Sequence, residues 1–211
     1  MSEAAVVRWV LKPLVWIGCL TPAGWLGYGV VTGDLGADPV KTLTHTTGLS
    51  ALIILLVTLA VTPARRLTGF NPAVKLRRPL GLFAFFYALA HFAIYAVFDH
   101  QLSVTEISAD IVEHPWVLVG FSAFLILFAL AITSPKAALR RLGGKRWQAL
   151  HRAVYLAGCL VILHFWWLVK KDVTEPAIYG AILGGLLLVR LVKPATKAAA
   201  PPGGRAPART A

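Results

Sequence analysis

An all-α integral membrane protein, built as a bundle of six transmembrane helices, is the fold class that this sequence predicts. Three observations carry the expectation. The chain of 211 residues is 57% hydrophobic and 14% charged, where ordinary soluble domains carry roughly a quarter charged residues. It contains six long apolar runs, most of them close to the ~20 residues that an α-helix needs to cross a hydrocarbon core. The loops between the runs alternate strictly between basic and non-basic.

The first run, about Leu14 to Val31, has the position of a secretory signal. It lacks a clear small-residue cleavage site, and its removal would leave five spans and spoil the charge alternation, so it reads as a retained helix. Thr44 to Thr62 and Leu80 to Phe98 follow, separated by a segment with Arg65, Arg66, Lys75, Arg77 and Arg78 and no acid. After Leu80 to Phe98 comes an acidic loop with Asp99, Glu106, Asp110 and Glu113 and no Lys or Arg. Trp116 to Thr133 is the fourth span; a basic loop with Lys136, Arg140, Arg141, Lys145 and Arg146 leads to the fifth, Leu150 to Val169. Ala177 to Val192 is the sixth and shortest. Each run is bounded by charge, Pro or Gly, and in a bilayer such runs satisfy their backbone as helices. Residues 1–193 therefore read as one transmembrane domain, and 194–211, rich in Pro, Gly and Ala, as a disordered cytoplasmic tail.

The formal net charge is +12. Its distribution follows the positive-inside rule, which places both termini in the cytoplasm and the acidic loop outside. That asymmetry accounts for the charge without a nucleic-acid partner and leaves anionic lipid as the natural contact of the basic loops. Cys19 and Cys159 both fall in spans and form neither a CxxC pair nor a disulfide framework. No Walker loop, dinucleotide fingerprint or HExxH motif is present, so any chemistry belongs to the bundle.

Six histidines occur, at 45, 91, 100, 114, 151 and 164. His100 and His114 fall in the acidic loop and read as solvated residues. The other four lie in or at the ends of spans, where an ionisable side chain marks a functional site by default. At ~1.5 Å per residue, His91 lies ~16 Å and His164 ~21 Å from the inner surface. His45 enters from the outer side, and His151 stands at the inner edge of its helix. Two neutral imidazoles facing each other inside a bundle suit the axial positions of a haem iron, whose flat macrocycle needs space between helices. Zinc is the runner-up metal, but it wants more ligands and no acid lies inside a span. Phe83, Phe85, Phe86, Tyr87, Phe92, Tyr95, Phe165, Trp166 and Trp167 offer flat apolar surface near the pair, with Gly81 and Gly158 for close approach; Trp166 and Trp167 also suit an interfacial belt.

Three segments, HTTGLSAL from His45, LRRPLGLFAFFYALAHFAIYA from Leu76 and LGGKRWQALHRAVYLAGCLVILHFWWLVK from Leu142, resemble the haem-binding membrane subunits of bacterial protein-methionine-sulfoxide reductase systems. GDLGADP from Gly33 agrees with them, and the similarity covers nearly the whole chain except the tail. The resemblance implies a b-type cytochrome of the ferric-reductase-like transmembrane superfamily in the bacterial inner membrane. It implies FMN as well as haem b, a periplasmic molybdopterin enzyme as partner, and respiratory quinone or a cytosolic flavin reductase as electron donor. Two-haem members of the superfamily carry a histidine pair on each of two helices. His151 and His164 match one such pair, but Arg77 stands fourteen residues before His91 where the second would need a histidine. His151 is thus left to bind a second haem with an unusual partner, or to hydrogen-bond a quinone or flavin, and His45 is a further candidate for such a contact. Arg77, Arg78 and Arg152 are left to meet haem propionates, flavin phosphate or lipid headgroups.

Three classes of function fit: an electron-transfer subunit, a self-contained membrane reductase of ferric ion or quinone, and a transporter or structural membrane protein. The first is favoured, because the chain has redox ligands but neither a substrate domain nor the nicotinamide and flavin domain of a self-contained reductase. The charge map makes a prediction of its own. A reporter that works only in the cytoplasm should be active when fused after Val192 and silent when inserted near Ser108; the opposite pattern would overturn the orientation.

Overall fold

The computed structural model describes residues 2–169 and 171–191. Among them the regular structure is entirely helical. In chain order the helices are α1 (Glu3–Thr32), α2 (Pro39–Thr68), α3 (Asn71–Asp99), a short α4 (Val104–Glu113), α5 (Pro115–Ile132), a short α6 (Lys136–Leu142), α7 (Gly144–Leu168) and α8 (Thr174–Leu191). All but α4 and α6 are long and apolar enough to span a membrane. The six apolar runs are therefore six helices, and α1 and α2 extend well beyond their runs. The 194–211 tail and Lys170 lie outside the described residues.

Both longer loops fold a helix that hydropathy does not see. Ser103 accepts the N–H of Glu106 and so caps α4. Ile107, Asp110 and Ile111 then turn toward the bundle while Val104 and Val112 stay exposed. The long helices carry comparable end signals. Asp38 Oδ1 accepts the Lys41 N–H at 3.0 Å with Pro39 in the first turn of α2. At the other end Gly69, at φ +71°, donates its N–H to the Arg65 carbonyl.

Helix α2 packs most extensively on α3, and α5 on α7; α3 also meets α5, and α2 meets α7. These four close a ring, with α1 set against α2 and α3, and α8 against α2 and α7. Ile54 and Leu55 of α2 join Leu80, Ala84 and Phe85 of α3 in one buried cluster. Leu52, Leu56 and Leu59 join Leu183 of α8 in the other. Gly158 lets α7 and α8 close: a Cβ there would lie 3.3 Å from Leu183 Cδ1. Gly81 does less, its Cβ position lying at an ordinary 3.9 Å from Thr58.

Pro22 of α1 and Pro63 of α2 each lie inside a helix, and a distant side chain bonds the turn beside each. Proline carries no N–H, so the carbonyl four residues before it loses its helical donor. At Pro22 of α1, the Tyr87 hydroxyl of α3 accepts the Ala23 N–H at 3.0 Å and donates to the Cys19 carbonyl at 2.7 Å, bridging the turn around the ring. At Pro63 of α2, the freed carbonyl is that of Leu59, and Arg190 Nη2 of α8 donates to it at 2.5 Å. The same guanidinium also bonds the Tyr155 hydroxyl of α7 and lies over its ring. Such repairs are what the hydrocarbon demands.

Tyr87→Phe keeps the ring and deletes the bridge. It should lower stability by about 1–3 kcal/mol, the usual cost of leaving a buried polar group unpaired, read as an earlier unfolding midpoint in detergent. An unchanged midpoint would show that the Pro22 turn needs no such bridge.

Candidate functional site: a histidine pair across the bundle

His91 on α3 and His164 on α7 face each other diagonally across the four-helix ring, with ring centroids 6.3 Å apart and planes at 84°. Each leans on the helix beside it. His91 Nδ1 lies 2.9 Å from the Thr44 carbonyl of α2, and His164 Nδ1 lies 2.7 Å from the Trp116 carbonyl of α5. A carbonyl can only accept, so both Nδ1 atoms carry the proton and, in the neutral rings, both Nε2 atoms keep their lone pairs. That is the usual arrangement of a metal-ligating histidine, whose other ring nitrogen donates to a carbonyl or carboxylate.

The spacing fits a shared metal. With bonds of about 2 Å from nitrogen to metal and roughly 1.1 Å from ring centroid to Nε2, two imidazoles on opposite sides of one ion place their centroids about 6 Å apart. The observed separation is 6.3 Å. Among the described residues no group of three or more His, Cys, Asp or Glu side chains could hold a metal ion. The pair is therefore suited to a metal that brings its other ligands with it, as haem iron does. Between α3 and α5 the phenylalanines form a layer: Phe92 stacks on Phe124 at 5.0 Å, and Phe85 on Phe124 at 6.2 Å. Of the aromatics expected near the pair, Phe86, Trp166 and Trp167 are instead exposed on the bundle surface, where a lipid belt would meet them. Phe121, Phe124 and Phe128 of α5 complete the layer with Phe85 and Phe92.

The other candidate residues stand elsewhere. His45 is exposed on α2. His151 lies near the basic end of α7, stacked on Trp147 at 3.8 Å, with its Nε2 3.2 Å from the Thr133 hydroxyl. Trp147 donates its indole N–H to the Thr133 carbonyl at 2.8 Å. The nitrogen that stays open in His91 and His164 is thus engaged in His151. The chain also overwinds just after it, through bonds from Ala153 N–H to Leu150 and from Tyr155 N–H to Arg152. Ideal-helix angles consequently do not relate His151 to His164. Arg77 is half-buried, and its Nε has no hydrogen-bond partner among the described residues; Arg78 and Arg152 are exposed.

The acidic end carries an organised cluster where solvated histidines were expected. Asp110 of α4 accepts from the Tyr95 hydroxyl at 2.5 Å, stands 3.5 Å from His100 Nε2, and lies 2.8 Å from His114 Nδ1. Trp116, whose carbonyl holds His164, has its ring 4.7 Å from that of His114. The signal for this cap was the SVTE capping motif followed by Ile107 and Ile111 one turn apart. The carbonyls of Thr44 and Trp116 had no comparable signal, since every residue has one.

Residues 45–169 match the family model of the ferric reductase like transmembrane component. The chain belongs to that family. Within it, the chain belongs with the MsrQ group. It is 48% identical over 184 residues to a Herminiimonas arsenicoxydans protein named as the heme-binding subunit MsrQ of protein-methionine-sulfoxide reductase, covering 86% of this chain and 84% of that one. A Bordetella pertussis protein of the same name is 49% identical over 180 residues, covering 84% and 86%. One from Xanthomonas euvesicatoria pv. vesicatoria is 47% identical over 199 residues, covering 92% and 91%. With its six apolar helices, this MsrQ-group chain is a multi-pass membrane protein.

The cap generates a pH prediction. Burial by itself raises the Asp110 carboxyl, but the Tyr95 hydroxyl and the nearby His114 and His100 outweigh it and hold the group below its ordinary value. A depressed carboxylate stabilises the fold fully above its unfolded pKa and loses that contribution as pH falls through the folded one. Protection of α4 against hydrogen exchange should therefore be flat near neutrality and fall only below the ordinary carboxylate range. Asp110→Asn should cost about 1.5–3 kcal/mol, as for a hydrogen bond to a charged group, and speed exchange across Val104–Glu113 at pH 7. Equal exchange in parent and variant would remove Asp110 as the anchor of the cap.

Proposed function

We propose that this chain is the haem b-binding, electron-transferring membrane subunit of a methionine-sulfoxide reductase system. It takes electrons from the quinone pool or a cytosolic flavin reductase and passes them across the bacterial inner membrane. The acceptor is a periplasmic molybdopterin enzyme that reduces methionine sulfoxide in oxidised proteins. The observation that supports this reading most directly is the histidine pair, with both Nδ1 atoms bonded to carbonyls and the ring centroids 6.3 Å apart.

In this reading His91 and His164 would hold the haem iron, and the haem would supply one-electron chemistry when bound. The Thr44 and Trp116 carbonyls fix the tautomer of each ring and raise the basicity of the Nε2 atom that would meet the metal. The Phe85, Phe92 and Phe124 layer fills the seam between α3 and α5 with apolar surface. The basic end faces the cytoplasm with both termini, residues 1–193 forming the transmembrane domain and 194–211 a cytoplasmic tail. FMN enters as a second cofactor, with Arg77, Arg78 and Arg152 as the cations available to its phosphate or to lipid headgroups, and His151 as a contact for a second haem, quinone or flavin. At the acidic end Asp99, Glu106 and Glu113 are the exposed acids that face the partner, Asp110 being engaged within the cap.

His91→Ala or His164→Ala should abolish or severely disturb the haem spectrum of the purified chain. His45→Ala should do less, and His151→Ala should slow electron entry more than it disturbs the haem held by the pair. Full haem retention in both of the first two variants would sink the ligand assignment.

A further inference from the structure

The two histidines are held by one device built twice. In each case the accepting carbonyl lies on the helix preceding the histidine's own in the ring, 47 residues before His91 and 48 before His164. In each case the residue four positions after that carbonyl is glycine: Gly48 after Thr44, Gly120 after Trp116. The spacing has a geometric cause. A helical carbonyl points along the axis toward the residue four positions on, so a ring that donates to it must lie across that residue. A Cβ at Gly120 would stand 2.6 Å from His164 Nδ1 and 2.8 Å from Cε1; at Gly48 it would stand 3.0 Å from His91 Nδ1 and 3.1 Å from Cε1. The first distance is impossible without moving the ring, and the second is tight.

We propose that Gly48 and Gly120 are positioning residues that set the tautomer and the plane of the two ligand rings. The inference rests on the haem reading above and deepens it. An added methyl at either position pushes the imidazole away from its carbonyl or turns it about its own axis, and the near-perpendicular relation of the planes, 84°, is lost with it. Ring planes matter to a low-spin ferric centre. Perpendicular imidazoles donate into different members of the iron's pair of dπ orbitals and leave them nearly degenerate, which gives a strongly anisotropic electron paramagnetic resonance signal. Parallel imidazoles split the pair and give an ordinary rhombic one.

The test compares the full chain, purified with its haem, with Gly48→Ala, Gly120→Ala and Gly184→Ala. The last is a control on α8, where a Cβ meets nothing within 4 Å. Parent and control should show the strongly anisotropic low-spin signal and one midpoint potential. Gly120→Ala should lose haem affinity by roughly 10- to 100-fold, as when a ligand loses its outer hydrogen-bond partner. The haem it retains should give a rhombic signal and a shifted potential. Gly48→Ala, the smaller clash, should keep its haem and change in the same direction by less, and it carries the test should Gly120→Ala fail to accumulate. A parent without haem, or with haem that survives loss of both histidines, overturns the ligand reading and this inference together. A haem-loaded parent whose two glycine variants match Gly184→Ala in signal and potential overturns the positioning role alone.

Discussion

In hydrocarbon there is no water to bond a stranded N–H or carbonyl, and each one left over costs far more than it would at a wet surface. That constraint organises this bundle. It explains why Tyr87 reaches into α1 beside Pro22 and why Arg190 crosses to the Leu59 carbonyl that Pro63 leaves free. It also explains the histidines. An imidazole inside the ring must place its N–H somewhere, and the available acceptor is a backbone carbonyl already committed to its own helix, whose second lone pair remains open. Once Nδ1 is spent in this way in both His91 and His164, the two Nε2 atoms are the polar atoms still free. The rule that governs the proline turns thus also leaves the pair with two nitrogens open to a ligand.

Charge divides the molecule along its other axis. Among the described residues the ion pairs involve histidine and the acids of α4, and none joins an arginine or lysine to a carboxylate. The cations gather at one end and the acids at the other, so opposite charges seldom come within reach. The acidic end answers its own excess with His100, His114 and the Tyr95 hydroxyl around Asp110. The cap they tie down lies directly beyond Trp116 and hence beside the carbonyl that holds His164.

The parts of this structure that were legible in the sequence share one property: they depend on single segments. Six apolar runs and their charged boundaries place the spans, because a bilayer of fixed thickness reads length and polarity alone. Depth along an ideal helix was enough to match His91 with His164 at one level. What stayed hidden depends on pairs of segments. Arg190 and Leu59 are 131 positions apart, and nothing at either position names the other. Gly48 and Gly120 look like ordinary small residues of membrane helices until the rings of α3 and α7 are laid against them. The cap α4 was missed for another reason: a ten-residue amphipathic helix in an acidic loop is too short and too polar for a span-length window.

The repair at Pro63 bears on how such a chain is made. Spans enter the bilayer in the order of synthesis, and α2 is the second of six. Its Leu59 carbonyl acquires the Arg190 guanidinium only when α8, the sixth of the described spans, is in place. The most buried helix of the bundle thus holds an open valence through the insertion of every helix that follows. The arginine that closes it also grips Tyr155 of α7. One side chain of the sixth described span thus locks the second, fifth and sixth of them at a single point.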